Sequence, residues 1–203
     1  MLNLFRAESK HLKFQDGEFI YYPDYFESSE SENYYKFFLH QIPWKQDTIK
    51  IYGKEFPIPR KAAWYGDPGK SYTYSGIKMN PIKWNLELLS IKNKIEEQLK
   101  IEFNSLLLNL YEDGDHSVGW HADDEKELGN HITIASISFG QTRDFQLKHK
   151  TDTNLERITL PLENGSLLLM LPPTQKYWLH QIPKRKKVFS PRINLTFRFI
   201  IDD

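Results

Sequence analysis

Apolar and polar residues alternate strictly in the last segment of the chain. In PRINLTFRFI, at 191–200, one set of side chains is Ile193, Leu195, Phe197 and Phe199, and the other is Arg192, Asn194, Thr196 and Arg198. A period of two predicts a β-strand with one face in a core. The opposite face carries two arginines, an amide and a hydroxyl, so it calls for polar or anionic partners.

Further short runs in the second half of the chain predict more strands. They are FNSLLLNLY, ITIASISFG, RDFQLKHK, ERITLPL and GSLLLML, separated by turn residues such as Gly114, Gly140 and Asn164-Gly165. Several short strands at this spacing are typical of a β-sandwich or jelly roll.

Two earlier segments have apolar residues at helical spacing. The first predicts a helix near 34–42, with Ser31 or Asn33 as its cap. The second predicts a helix over about 84–99 with a buried stripe of Leu88, Ile91, Ile95 and Leu99.

Composition narrows the class of protein. The chain has 203 residues, of which 39% are hydrophobic, and it contains no cysteine, which excludes disulfides, thiolate zinc sites and cysteine nucleophiles. Its 27 basic and 27 acidic residues balance, so any binding of nucleic acid would depend on local patches such as PKRKK at 183–187. No apolar run reaches the ~20 residues of a membrane span, and the start lacks a secretory signal. We therefore expect a cytoplasmic protein, or a nuclear one in a eukaryote.

One short motif has the spacing of a metal site. GWHADDE, at 119–125, places His121 and Asp123 on the same side of an extended segment, and His180 in YWLHQIP could supply a third ligand. Two histidines and a carboxylate form the facial triad of non-haem Fe(II) oxygenases. The spacing alone is weak, because a His-x-Asp pair arises by chance and a lone histidine is commonly structural.

The arginine-bearing strand strengthens this interpretation. Arginines that point inward need anionic partners. Many Fe(II) oxygenases use 2-oxoglutarate, a dicarboxylate that arginine can bind through two parallel hydrogen bonds. The alternative is an exposed strand face with ordinary surface arginines.

Taken together, NLYEDGDHSVGWHADDE, IASISFG and PRINLTFR resemble the AlkB family of Fe(II)- and 2-oxoglutarate-dependent dioxygenases, most closely its duplex-DNA repair type. The resemblance implies one domain, mainly β with α: N-terminal helices in about 1–48, a nucleotide-recognition lid in about 49–80, and a double-stranded β-helix (jelly-roll) core in about 103–203. It also implies that His121, Asp123 and His180 bind Fe(II) and that O₂ takes the remaining position on the metal. The implied 2-oxoglutarate contacts are Asn109, Tyr111, Arg192, Asn194, Thr196 and Arg198.

The same resemblance implies contacts with DNA. RKAAWYGDPGKSYTYSG resembles the base-recognition signature of the lid, and Tyr52 beside Gly53 lies where the duplex type has a phenylalanine finger. The implied substrate contacts are Tyr52, Gly53, Tyr72, Tyr74, Ser75, Asp124, Glu125, Arg185, Lys186 and Lys187. Without the resemblance, the tyrosines would be half-buried strand aromatics and the basic run a solvated loop.

The implied activity is oxidative demethylation of 1-methyladenine and 3-methylcytosine in DNA by a monomer, with release of formaldehyde, succinate and CO₂. Duplex DNA is the favoured substrate. The alternatives are the same chemistry on RNA or single-stranded DNA, oxidation of a protein or small molecule, and a non-catalytic jelly-roll binding module.

Overall fold

The computed structural model describes residues 8–51, 53–70, 72–74, 77–79 and 81–201. The helices in these ranges are α1 (Ser28–Gln41), α2 (Leu86–Leu99) and α3 (Thr174–Tyr177), with a 3-10 turn at Lys126–Leu128. The strands are β1 (Lys10–Phe14), β2 (Gly17–Tyr22), β3 (Thr48–Ile51), β4 (Lys54–Pro57), β5 (Lys61–Gly66), β6 (Tyr72–Tyr74), β7 (Ile77–Met79), β8 (Ser105–Tyr111), β9 (Val118–His121), β10 (Ile134–Gly140), β11 (Arg143–His149), β12 (Ile158–Leu162), β13 (Ser166–Leu171), β14 (Trp178–Ile182) and β15 (Arg192–Arg198). Within the described ranges, no helix is long and apolar enough to cross a membrane.

Two antiparallel sheets form the core. The larger sheet has the order β1-β2-β13-β10-β15-β8-β5, and the smaller has the order β12-β11-β14-β9. Apolar side chains from both sheets fill the space between them, including Ile134 and Met170 from the larger and Leu147 and Ile182 from the smaller. The predicted mainly β fold with a jelly-roll core is therefore confirmed.

The other face of the larger sheet is covered by helices. Leu88, Ile91 and Ile95 of α2 are fully buried against it, as the helical spacing predicted, while Leu99 is only partly buried. Asn85 caps this helix, because its side chain accepts a hydrogen bond from Leu88 N at 2.8 Å. The apolar face of β15 packs into this helix-covered core, so its polar face must point between the two sheets.

Helix α1 begins upstream of the predicted cap. Its first residue is Ser28, and its N-cap is Glu27, whose side chain makes no capping hydrogen bond. Ser31 is buried inside the first turn, where its hydroxyl donates to the carbonyl of Phe26 at 3.4 Å. The prediction of Ser31 or Asn33 as the cap is wrong, because the hydroxyl of Ser31 is already bonded and buried inside the helix.

The larger sheet also contains strands from outside the range predicted for the core. β2 pairs with β13, and β5 pairs with β8. Within the first 48 residues the hydrophobic pattern predicted only a helix, because β1 is almost wholly exposed and shows little alternation. Hairpins β3–β4 and β6–β7 lie in the segment expected to be a nucleotide-recognition lid, and that role stays a prediction.

Candidate metal and cosubstrate site

Two neighbouring strands bring the candidate histidines together. His121 ends β9 and is the direct register partner of His180 on β14, and their ring centres are 4.2 Å apart. The Nδ1–H of His121 donates to the carbonyl of Gly119 at 2.9 Å, which leaves Nε2 for another partner. With Asp123, these residues offer ligand atoms that all lie within 4.8 Å of one another.

Asp123 is buried and held from two sides. Its backbone N–H donates to Oε1 of Gln175 at 3.0 Å, and its Oδ2 accepts from Nε and Nη2 of Arg198 at 3.2 and 2.7 Å. Among the described residues its Oδ1 has no hydrogen-bond partner, and it lies 3.7 Å from Nε2 of His121. A buried carboxylate oxygen without a donor, facing two imidazoles, is the arrangement that a divalent metal completes.

The local electrostatics keep these groups in their metal-binding forms. Burial alone would raise the pKa of Asp123, but the guanidinium of Arg198, together with the two histidines, holds that pKa well below its usual range. Burial, reinforced by His121, lowers the pKa of His180 to about 3. The carboxyl is therefore ionised and the His180 ring is neutral near pH 7, as metal ligation requires.

At the other end of the same cavity lies Arg192, which is only 1% exposed. Its Nη2 donates to Oγ of Ser138 at 2.9 Å, whereas Nε and Nη1 have no hydrogen-bond partner among the described residues. Burial lowers the pKa of Arg192 to about 10, so it stays charged at neutral pH. A buried cation with unused N–H donors fits an anionic ligand such as a carboxylate.

The remaining predicted cosubstrate residues line the cavity between these two ends. Thr196 donates its hydroxyl to Oδ1 of Asn194 at 3.0 Å, and Asn194 donates to Oγ of Ser136 at 2.9 Å. The ring of Tyr111 lies 5.2 Å from the Arg192 guanidinium. All six residues of the predicted set, including Asn109 and Arg198, line the one cavity that also contains the histidine–aspartate cluster.

Three contributors were missed by the sequence analysis. Arg60 is buried and its Nε donates to Oδ1 of Asn109 at 2.9 Å. On β10, Ser136 lines the cavity and Ser138 accepts the hydrogen bond from Arg192. Their alternation with buried apolar residues in IASISFG was a usable signal for a polar inner face. Arg60 gave no such signal, because it lies in the loop before β5, outside any alternating run.

The predicted base-edge carboxylates point in different directions. Glu125 lines a second opening beside His121, together with Arg60 and Trp120. Asp124 instead accepts from Nζ of Lys150 at 2.7 Å and borders a separate cavity with Gln175 and Lys176. On an extended segment, the side chain of Asp124 points away from that of its neighbour Asp123, and its contact with a base stays a prediction.

The structure describes only some of the remaining predicted DNA contacts. Tyr52 and Ser75 lie outside the described residues, and Tyr72 and Tyr74 are described only as the backbone ends of β6. Gly53 adopts φ +79° at the β3–β4 turn. Lys186 and Lys187 are exposed, whereas Arg185 donates from Nε to Oδ2 of Asp144 at 2.9 Å. Arg185 therefore already forms an ion pair within the protein, with Asp144.

Comparison with known proteins places this geometry in a family. The model of the 2OG-Fe(II) oxygenase superfamily matches residues 18–198. The bovine alpha-ketoglutarate-dependent dioxygenase alkB homolog 3 is 42% identical over 189 residues, covering 89% of this chain and 65% of that protein. The mouse DNA oxidative demethylase ALKBH2 is 43% identical over 159 residues, covering 75% of this chain and 66% of that protein. The Arabidopsis thaliana ALKBH2 is 33% identical and covers 91% of this chain and 67% of its own length.

The chain belongs to the AlkB family of 2OG-Fe(II) oxygenases. A solved structure, OsALKBH1, shares the fold at a TM-score of 0.68 and 12% identity, covering 94% of this chain and 100% of its own. The predicted family and its cofactors, Fe(II), 2-oxoglutarate and O₂, are confirmed at this level. This oxygenase spans about two thirds of the length of the curated mammalian relatives that it matches.

Proposed function

We propose that this oxygenase demethylates N-alkylated bases in DNA, such as 1-methyladenine and 3-methylcytosine, and releases formaldehyde, succinate and CO₂. One observation carries the proposal: a histidine–aspartate–histidine cluster and the buried, incompletely bonded guanidinium of Arg192 share one cavity. Relatives named DNA oxidative demethylase support DNA as the substrate.

When bound in this cavity, Fe(II) and 2-oxoglutarate supply the O₂ activation that oxidises the N-methyl group, which then leaves as formaldehyde. His121, Asp123 and His180 hold the metal. Arg198 keeps the Asp123 carboxylate ionised and fixes its Oδ2, so that Oδ1 remains available to the metal. Arg192 binds the distal carboxylate of 2-oxoglutarate through its unused N–H donors, which sets the orientation of the cosubstrate.

The target base enters beside His121. The opening there is lined by Arg60, Trp120 and Glu125, which offer a cation, an aromatic ring and a carboxylate close to the metal ligands. Tyr72, Tyr74 and Ser75 are proposed to contact the base from the lid. A base inside this opening has left its stack, as oxidation of a ring-nitrogen methyl group in a duplex requires.

Duplex DNA is the proposed form of the substrate. The β3–β4 hairpin supports it, because its Ile51–Lys54 register fits the short turn expected for a finger at Tyr52. Arg185 contributes less than expected, since it pairs with Asp144, so Lys186 and Lys187 are the proposed backbone contacts. A protein that acts on DNA would be located in the nucleus of a eukaryote or in the cytoplasm.

The test is turnover of 3-methylcytosine in matched single-stranded DNA, duplex DNA and RNA, with Fe(II), ascorbate and 2-oxoglutarate present or omitted one at a time. Conversion that requires Fe(II) and 2-oxoglutarate, is increased by ascorbate, and is greatest in duplex DNA supports the proposal. Greater conversion of RNA or single-stranded DNA would favour that alternative. Succinate formation excludes a non-catalytic binding module.

A further inference from the structure

Two cations surround an aromatic ring on the outside of the smaller sheet. Trp120 lies on the edge strand β9, one residue before His121, and is partly exposed. The ammonium of Lys148 lies 4.7 Å from the centre of its ring, and the guanidinium carbon of Arg157 lies 5.6 Å from it. These three residues are called the Trp120 cluster below.

The Trp120 cluster adjoins the opening to the metal ligands. Trp120 lines that opening together with Arg60, His121 and Glu125. A nucleic-acid strand whose target base occupies the opening has its adjacent nucleotides at the rim, where Trp120 lies. Lys148 is on β11 next to Leu147, which is buried between the sheets, so Lys148 points to the outer face.

The charge of the cluster has no acidic counterpart in the described part of the chain. Neither Lys148 nor Arg157 is within ion-pair distance of a carboxylate there, and each cation contacts the indole ring of Trp120. By contrast, nearby Lys150 is paired with Asp124, and Arg185 with Asp144. In a chain with balanced charge, this leaves two cations at the rim available to an anionic ligand.

We propose that the Trp120 cluster binds the nucleotide next to the target base in the strand that carries it. The inference rests on the proposed function. When a strand binds, Lys148 and Arg157 leave the indole ring and bind phosphate oxygens, with which they form stronger charge-assisted hydrogen bonds. The face of the indole that they leave can then stack against a base. Cationic grooves with aromatic side chains are the common means of binding single-stranded nucleic acid. The cluster therefore holds the target strand beside the opening.

The test measures binding without turnover. A series of single-stranded oligonucleotides with one 3-methylcytosine is prepared, in which the flank on one side or the other is lengthened by one nucleotide at a time. The Kd of each oligonucleotide for the protein is measured without O₂ or 2-oxoglutarate over a range of salt concentrations. In the parent, Kd should fall when the flank on one side first reaches the cluster. Trp120→Ala should raise Kd for the long flank roughly fivefold or more. Lys148→Gln with Arg157→Gln should reduce the salt slope by about 1.4, or about 0.7 for each lost phosphate contact.

A matched control is Lys176→Gln, because Lys176 also lies over an aromatic ring, 5.0 Å from that of Tyr177, but borders a different cavity. Its Kd and salt slope should equal those of the parent. Trp120→Phe keeps a stacking ring and should retain most of the flank dependence even if Trp120→Ala misfolds.

Equal flank dependence and equal salt slopes in the parent and the Lys148/Arg157 double variant would overturn the role of the cluster. A parent that shows the flank dependence but converts no methylated oligonucleotide would support the cluster and overturn the proposed function.

Discussion

Replacing Arg192 by lysine tests the cosubstrate end of the cavity. The guanidinium is 1% exposed, donates once to Ser138, and has Nε and Nη1 without hydrogen-bond partners among the described residues. Lysine keeps the charge but cannot present a planar fork of donors. Loss of one charge-assisted hydrogen bond costs about 1.5–3 kcal/mol, which corresponds to roughly tenfold to a hundredfold in affinity. We therefore expect Kd and KM for 2-oxoglutarate to rise by that factor.

The assay is a titration of the iron-loaded protein with 2-oxoglutarate, compared with the KM for succinate formation. Arg143→Lys is the matched control, since Arg143 is 2% exposed and lies against the same Tyr111 ring, but its guanidinium donates to the carbonyls of Asp113, His116 and Pro183. That variant should lose thermal stability and change the 2-oxoglutarate KM far less. An unchanged KM in Arg192→Lys, with iron binding intact, would refute the reasoning.

Four further predictions concern the metal, its support and the DNA contacts. Alanine at His121, Asp123 or His180 should each abolish turnover and weaken metal binding in a calorimetric titration; near-normal activity would remove that residue from the site. Gln175→Leu removes the acceptor for the Asp123 N–H and should weaken metal binding severalfold, with Gln175→Asn as the conservative comparison; equal metal affinity in all three proteins would argue against this support. Lys186→Gln with Lys187→Gln should flatten the salt dependence of duplex binding more than Arg185→Gln does, because Asp144 holds Arg185; the reverse order would contradict this. Tyr52→Ala should lower the duplex-to-single-strand activity ratio and Tyr52→Phe should preserve it, whereas equal ratios would exclude a finger role.

The sequence predicted the site best where one strand carries several of its residues. The period of two in β15 placed Arg192, Asn194, Thr196 and Arg198 on one face, and all four line the cavity. The prediction failed at the end of the strand, where Phe199 is 45% exposed rather than in the core. Pairing stops at Arg198, so alternation no longer fixes which side a residue faces.

Residues that reach the site from far along the chain could not be predicted. Arg60 bonds a residue 49 positions away, and Gln175 bonds the backbone of a residue 52 positions away. Neither residue lies in a segment with a periodic apolar pattern, and the position of each at the site depends on how the two sheets pack together. The same holds for the ion pairs of Asp124 and Arg185, whose partners Lys150 and Asp144 lie on or beside another strand. The local alternation of apolar and polar residues determines which side chains share one face of a strand. Contacts between segments that are distant in the sequence determine which polar side chains come together.

The most direct test of the proposed activity is the fate of one methyl group. A duplex oligonucleotide with a single 3-methylcytosine is incubated with the protein, Fe(II), ascorbate and 2-oxoglutarate. The mass of the oligonucleotide is then measured by mass spectrometry, and formaldehyde and succinate are quantified. The proposed function predicts loss of one CH₂ from the oligonucleotide, one formaldehyde for each base repaired, and no conversion by the Asp123→Ala variant. An unchanged oligonucleotide mass in duplex DNA, single-stranded DNA and RNA, with succinate still formed, would contradict it.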